Sequence, residues 1–113
     1  MFRFAKERIV WWPVTIKAPA KDRPGHVEEF AAKIRVQLLD MDEIKQYVHG
    51  APESDTELLV QKISDWEDIA DESGKALAFT ADNLRALLSI PYVRGAFAGG
   101  LLEASSGRAA VKN

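Results

Sequence analysis

The residues best suited to chemistry in this sequence are carboxylates clustered before a glycine, in the stretch DWEDIADESGKALAFT. They are Asp65, Glu67, Asp68, Asp71 and Glu72. Such a cluster could bind calcium or supply a catalytic acid. An EF-hand loop needs ligands at positions one, three and five, glycine at six and glutamate at twelve. With Gly74 at position six, positions one and twelve are Ile69 and Thr80, so the calcium pattern is absent.

A catalytic acid needs a pKa shifted by burial or by a close partner, whereas a run of charged residues is expected to stay in water. The segment Glu72-Ser73-Gly74-Lys75 has the composition of a turn between WEDIAD and ALAF. We therefore predict a small β-hairpin near residues 67–79, with the carboxylates as its solvated rim. The residues predicted to face inward are Trp66, Ile69, Leu77 and Phe79.

An enzymatic alternative remains open, in which the acids become poised only at an oligomer interface. It predicts a saturable activity that is lost when Asp68 or Asp71 is replaced, whereas the hairpin interpretation predicts nearly neutral substitutions. The chain has no cysteine, and His26 and His49 lack the spacing of metal ligands. No HExxH, GxSxG, Walker or GxGxxG pattern occurs. We predict a non-enzymatic protein with no catalytic, metal or cofactor site.

The composition is that of one soluble domain. The chain has 113 residues, of which 47% are apolar and 28% charged, as in ordinary globular proteins. The net charge of −2 provides no positive electrostatic field that would attract phosphate backbones. No nucleic-acid partner is therefore predicted. No apolar run approaches the roughly 18 residues of a membrane span, and MFRFAKERIV does not read as a signal peptide. We expect no membrane association and a location inside the cell.

Residues 1–39 show the two-residue period of β-strands. Apolar and polar residues alternate in two segments. The apolar positions are Val10, Trp12, Val14 and Ile16 in the first segment, and Phe30, Ala32, Ile34, Val36 and Leu38 in the second. Pro13 lacks a backbone donor, which places the first strand at a sheet edge or at a bulge. We predict an antiparallel β-hairpin, or a small meander that also includes Phe2–Phe4, with one solvated face.

Residues 40–105 show helical signals and are predicted to form about four short helices. Asp40, Thr80 and Pro91 are typical of helix starts. The second helix is predicted to carry its apolar stripe as far as Trp66. That stripe is Leu58, Leu59, Ile63 and Trp66. Strands followed by helices indicate an α+β fold, and residues 1–113 are predicted to form a single domain.

The C-terminal part of the chain contains a glycine pair within a helical pattern and ends in a small, polar segment. Gly99-Gly100 falls inside the last helical pattern, where each glycine costs about 1 kcal/mol relative to alanine. The pair either permits a close helix approach or marks a kink or an early helix end, and we favour the kink or early end. Residues 106–113 are small and polar, so a flexible tail is predicted there.

The run DWEDIADESGKALAFTADNLRALLSIPYVRGAF, followed by LLEASSG and a terminal KN, resembles the tail assembly chaperones of long-tailed (siphovirus-like) bacteriophages and prophages. The segment FAAKIRVQLLDMDEIKQYV fits that family more loosely, and Gly99-Gly100 departs from its bulkier last helix. The matching positions are Trp66, Asp71, Gly74, Phe79, Thr80, Asn83, Leu84, Leu87, Pro91, Val93 and Arg94.

The resemblance implies a non-enzymatic role in the host bacterial cytoplasm. Such chaperones coat the helical tape-measure protein, keep it soluble and bring tail-tube subunits to it, and they are absent from the mature virion. The implied partners are therefore the tape-measure and tail-tube proteins, together with self-association. A longer form made by ribosomal frameshifting is common in the family, and Lys112-Asn113 is compatible with a slippery codon run.

Helical grooves and exposed apolar side chains are what such a binding role requires. The residues predicted to contact a partner or a second copy are Trp11, Leu87, Tyr92, Val93, Phe97 and Leu101. Trp11 is included because its alternation points it away from the core. Two alternatives remain open: the helix residues fill only the domain's own core, or the chain is a small phage-encoded interaction or inhibitor domain that binds a host protein.

Overall fold

The computed structural model describes residues 1–110 and shows helices packed on one face of a three-stranded antiparallel sheet. The predicted α+β fold is confirmed, with the strand hairpin first, four helices after it and a short strand between the second and third helices. The elements are β1 (Ile9–Pro19), β2 (Val27–Gln37), α1 (Met41–His49), α2 (Pro52–Lys62), β3 (Ile63–Glu67), α3 (Ala81–Leu88) and α4 (Pro91–Ser105).

The β1–β2 hairpin has the predicted alternation. Trp12 pairs with Ile34 and Val14 pairs with Ala32, so the apolar positions of both strands share the face on which the helices pack. Ala32, Ile34 and Val36 are buried there. Phe30 belongs to the same face but is exposed, because it lies opposite Ile16 near the tip of the hairpin, beyond the buried core. The strand order β1-β2-β3 leaves β1 at an edge, as Pro13 predicts.

The third strand contains a correction to the helical pattern. The sequence predicts Ile63 and Trp66 on the second helix, which is wrong because α2 ends at Lys62 and both residues lie in β3. Arg35 pairs with Asp65 but Val36 pairs with Ile63, so one residue of β3 is extra and forms a β-bulge. The bulge turns two side chains three positions apart toward the same buried face. The three-residue spacing of Ile63 and Trp66, which resembles that of a helix, therefore arises from an irregular strand.

The predicted hairpin after β3 is a tight turn with a single bridge between Ala70 and Ala76. Gly74 occupies the left-handed region there, with φ +86°, which favours glycine. The indole of Trp66 donates a hydrogen bond from Nε1 to the carbonyl oxygen of Leu77 (2.8 Å) and meets the ring of Phe79 edge to face at 4.8 Å. The hairpin is thus fastened to the core through its inward-facing residues, as predicted.

Helix α4 packs against β1, and Gly100 makes this contact possible. A Cβ placed at Gly100 would lie 2.6 Å from Cγ1 of Val14, closer than any ordinary contact. α4 runs from Pro91 to Ser105, so the predicted early end at Gly99-Gly100 is wrong, whereas a kink there stays a prediction. Close approach of the helix to β1 is the reason for Gly100. A Cβ at Gly99 meets nothing within 4 Å.

The end of α4 is closed by hydrogen bonds. Gly107, with φ +70°, donates to the carbonyl oxygen of Ala104 (3.2 Å), and Arg108 donates to that of Glu103 (2.9 Å). This is a Schellman arrangement, in which glycine supplies the left-handed residue. The predicted flexible tail therefore begins with a structured turn. Its last part, residues 111–113, lies outside the described residues, together with the frameshift signal at Lys112-Asn113.

The two neighbouring glycines provide a matched pair of substitutions. We expect Gly100→Ala to lower the free energy of unfolding by about 1–3 kcal/mol, because the methyl group forces α4 and Val14 apart. We expect Gly99→Ala to raise it by about 0.5–1 kcal/mol, because alanine is the better helix former and its methyl group enters open space. Urea denaturation followed by tryptophan fluorescence measures both. Equal changes in the two variants would contradict the close packing of α4 on β1.

Candidate functional site

The acidic stretch does not converge on one point. Asp65 lies opposite Arg35 and Glu67 opposite Lys33 on the outer face of the sheet, the face that the helices leave uncovered. Asp68 has φ +66° and turns the chain out of β3. The side chain of Asp71 accepts hydrogen bonds within its own turn. The carboxylates are thus distributed between a strand and a turn, as expected for a charged rim.

Asp71 organises the turn. Its Oδ1 accepts hydrogen bonds from the Ser73 backbone N–H (2.8 Å), the Ser73 hydroxyl (2.6 Å) and the Lys75 backbone N–H (3.1 Å). The hydroxyl of Ser73 is the main cause that holds the pKa of Asp71 below its ordinary value of 3.8, with support from the backbone N–H groups of the turn and some opposition from burial. Asp71 therefore has a structural task, and nearly neutral substitution is not expected at this position.

Residues 1–110 contain no group of three or more His, Asp or Glu side chains that could hold a metal ion. The other shifted carboxylate is Glu57, which forms an ion pair with Arg85 (2.7 Å) between α2 and α3. Hydrogen bonding from Arg85 lowers the pKa of Glu57, and the same bond raises the pKa of Arg85. This pair is exposed and links two helices, so it has the features of a surface ion pair.

The contact residues predicted on the last two helices are mostly in the core. Val93, Phe97 and Leu101 are buried because their spacing of four points them at the sheet. Leu87 is half-buried, and only Tyr92 is well exposed, at 43%. The structure favours the alternative in which these α4 residues fill the domain's own core. Tyr92 and Leu87 remain accessible near the α3–α4 corner.

Trp11 lies on the outer face of the sheet, away from α4. It is 42% exposed, as is Ile9 two residues before it, and Trp11 pairs with Arg35 on β2. Ile9 and Trp11 together are called the outer apolar surface below. Odd positions of β1 point outward while Trp12 and Val14 point toward α4, so the structure separates Trp11 from the predicted helix residues by the thickness of the sheet.

A groove that the sequence analysis missed runs between the free edge of β1 and α4. It has a volume of about 270 Å³ and is called the edge groove. Its helix side is formed largely by glycine and alanine, and Gly95 and Gly99 have nothing within 4 Å of an added Cβ. The spacing of these glycines, one helical turn apart, is the sequence signal that could have identified it. The lining residues are Pro13, Val14, Thr15, Lys17, Gly95, Ala96, Gly99, Gly100 and Glu103.

The N-terminal arm, residues 1–8, is a second feature that the sequence does not identify as a site. It contains no strand, so the option of a meander that includes Phe2–Phe4 is wrong. Phe2 and Phe4 are 86% and 81% exposed, so neither ring belongs to the core. The arm is held at its base, where the backbone N–H of Leu38 donates to the carbonyl oxygen of Arg8 (2.7 Å). Two large, exposed aromatic side chains on a segment outside the packed fold indicate a partner-binding surface.

Comparisons with protein-family models, with curated proteins and with solved structures gave no match to this chain. The chaperone family that the sequence resembles therefore stays a prediction. Among the helices formed by residues 1–110, none has the length and apolar content needed to cross a bilayer.

Replacing Asp71 tests its role in the turn. We expect Asp71→Ala to lower the urea midpoint at neutral pH, because three hydrogen bonds lose their acceptor, whereas Glu72→Ala should leave the midpoint near that of the wild type. The folded pKa of Asp71 is lowered, so its contribution is complete above pH 3.8 and is lost as the pH falls through the lowered value. The gap between wild type and Asp71→Ala should therefore close in acid. A neutral-pH midpoint equal to that of Glu72→Ala would contradict this role.

Proposed function

We propose that this protein is a tail assembly chaperone of a long-tailed bacteriophage or prophage, which acts by contact and without catalysis. It binds the tape-measure protein in the host bacterial cytoplasm, keeps it soluble and brings tail-tube subunits to it, and it leaves before the virion is complete. The order of residues from Trp66 to Arg94 supports the family. The outer apolar surface supports the mode of action.

The observation that carries the proposal is an aromatic side chain on an uncovered sheet face. Trp11 and Ile9 are each 42% exposed on the side that no helix of residues 1–110 covers. Tryptophan and arginine are the residues most often responsible for binding energy at protein interfaces, and Arg35 stands opposite Trp11. Arg35 also lies opposite Asp65 on β3, so the apolar centre has charges of both signs nearby. Such a surface suits an amphipathic helix whose apolar stripe is bordered by charged residues.

This chemistry fits a client that is long and helical. An apolar stripe on a long helical protein is a site of aggregation unless another protein covers it, and keeping the tape-measure protein soluble requires such cover. A small domain with a single apolar surface can cover one stripe. Several copies are then needed along a long client, which agrees with the self-association that the resemblance implies.

Co-expression with a tape-measure protein of a long-tailed bacteriophage tests the proposal. Wild type is expected to keep the tape-measure protein in the soluble fraction and to elute with it. Trp11→Thr should reduce the soluble tape-measure protein several-fold, since the strand is retained but the aromatic contact is lost. Phe30→Thr is the matched control, because Phe30 is an exposed aromatic residue of the same hairpin on the opposite face.

The result that would overturn the proposal is an insoluble tape-measure protein in the presence of wild type, with no complex on gel filtration. Equal losses for Trp11→Thr and Phe30→Thr would remove the outer apolar surface from the mechanism. Recovery of one host protein, with no phage structural protein, would favour the alternative of a host-directed interaction domain.

A further inference from the structure

Two features of residues 1–110 are complementary to each other: the edge groove, and the N-terminal arm with its exposed Phe2 and Phe4. We propose that the arm of one copy adds as an antiparallel strand to the free edge of β1 in a second copy, with Phe2 and Phe4 in the edge groove, and that the exchange is reciprocal. The product is a two-fold symmetric dimer with a continuous six-stranded sheet.

The direction of α4 along β1 fixes how the groove is arranged. Ser105 Oγ accepts a hydrogen bond from the Leu39 backbone N–H (2.9 Å), beyond the β2 residue that pairs with Ile9. Further along, Trp12 Nε1 donates to Glu103 Oε1 (3.3 Å), and Gly100 packs against Val14. α4 therefore runs antiparallel to β1. The groove extends from Glu103 near Trp12 toward the tip of the hairpin.

The helix side of the groove has a repeat that an extended segment can match. Gly95, Gly99 and Glu103 are four residues apart, which spaces them about 6 Å apart along the helix. Both glycines offer open space where a side chain would stand. Glu103 contributes a carboxylate, which accepts a hydrogen bond from Trp12 Nε1. The groove thus presents two apolar hollows followed by one negative charge.

The arm presents the complementary series. Phe2, Phe4 and Lys6 alternate with Arg3 and Ala5, so an extended arm carries all three side chains on one face, about 6.4–6.8 Å apart. A strand antiparallel to β1 runs parallel to α4. Phe2 then meets Gly95, Phe4 meets Gly99 and Lys6 meets Glu103. Two aromatic rings and one ammonium group match two hollows and one carboxylate in both order and spacing.

The occupant must come from a second copy. The hydrogen bond from Leu38 to Arg8 holds Arg8 in line with β1, so the arm can turn back only within residues 1–7. A two-residue turn at Lys6 and Glu7 would bring Phe4 back only as far as Ile9 and Phe2 only as far as Trp11. The groove begins at Pro13, beyond the reach of both phenylalanines of the same chain.

Two-fold symmetry gives a consistent register for the exchange. With Phe4 opposite Val14 of the second copy, Phe2 lies opposite Ile16 and Lys6 opposite Trp12, all on the face that α4 covers. The same register places Ile9 opposite its own equivalent on the axis. Each copy therefore gives and receives the same contact, as an isologous dimer requires.

The area is sufficient for a stable association. A phenylalanine ring buries about 150–250 Å², so the four rings of two exchanged arms bury about 600–1,000 Å² of their own surface. The groove surface that they cover brings the total to about 1,200–2,000 Å², within the range of specific interfaces. The backbone hydrogen bonds of the added strands come in addition. This dimer uses the edge of the sheet, and it does not depend on the proposed chaperone function.

Sedimentation equilibrium of the full chain tests the dimer. Wild type is expected to be a dimer at micromolar concentrations. The double variant Phe2→Ser/Phe4→Ser should raise the dimer dissociation constant at least tenfold, because the rings are lost. Gly99→Leu should do the same by filling the groove, and its Cβ enters open space in the monomer, so the fold is retained. Arg3→Ser/Ala5→Ser changes the other face of the arm and is the matched control that keeps the dimer.

A charge reversal and a disulfide crosslink test which residues of the two copies are in contact. Lys6→Glu should weaken the dimer, and combination with Glu103→Lys should restore it. The chain has no cysteine, so Phe4→Cys and Gly99→Cys variants mixed under mild oxidation should give a disulfide between different chains. Thermal melts of each variant confirm that the monomer is folded. A wild type that stays monomeric, or a dimer unchanged by both the arm and the groove variants, would overturn the proposal.

Discussion

The structure depends on one close contact, the packing of α4 against β1 at Gly100. The absence of a side chain at this position brings the helix axis near enough for Trp12 and Val14 to contact it directly. The remaining α4 contacts follow from that approach. Phe97 and Leu101 enter the core, and Ser105 receives the backbone N–H of Leu39. The last helix thereby covers the first strand and joins the two ends of the described chain.

The same contact determines which surfaces remain for binding. Because α4 lies over the edge strand, a groove opens beside it, and the free backbone groups of β1 face that groove. Because β1 alternates, Trp11 points to the other side of the sheet. A single strand thus contributes to two different surfaces, one aromatic and one lined by small residues. Asp71 takes part in neither, since its carboxylate is engaged in the turn, whereas Asp65 and Glu67 lie on the same face of the sheet as Trp11.

Much of the fold could be predicted from the sequence, because the relevant signals are local. The alternation of β1 and β2, the cap at Asp40 and the turn at Gly74 each follow from residues close together in the chain. The position of Trp66 could not be predicted in this way. Its spacing from Ile63 imitates a helix only because a bulge in β3 turns both side chains to one face, and a bulge depends on the register of the neighbouring strand.

The candidate site was predictable only in part, for a related reason. The outward direction of Trp11 follows from strand alternation, which is local. The burial of Val93, Phe97 and Leu101 and the groove beside Gly95 and Gly99 depend instead on which element packs against which face of α4. That partner, β1, lies at the other end of the chain. A glycine in a helix indicates either that another element packs closely against the helix or that open space lies beside it. The sequence alone does not distinguish these two cases.

The distance along the chain between β1 and α4 has a consequence for synthesis on the ribosome. Glu103, which receives the hydrogen bond of Trp12, is 91 residues later in the chain. At ordinary rates of translation, the hairpin waits roughly 5 to 20 s for the helix that covers it. During that interval Val14 and Trp12 lie uncovered on an edge strand, where pairing with another nascent chain is the main hazard. Pro13 supplies no backbone N–H to that edge, so pairing before α4 exists lacks both a hydrogen bond there and the groove that receives Phe2 and Phe4.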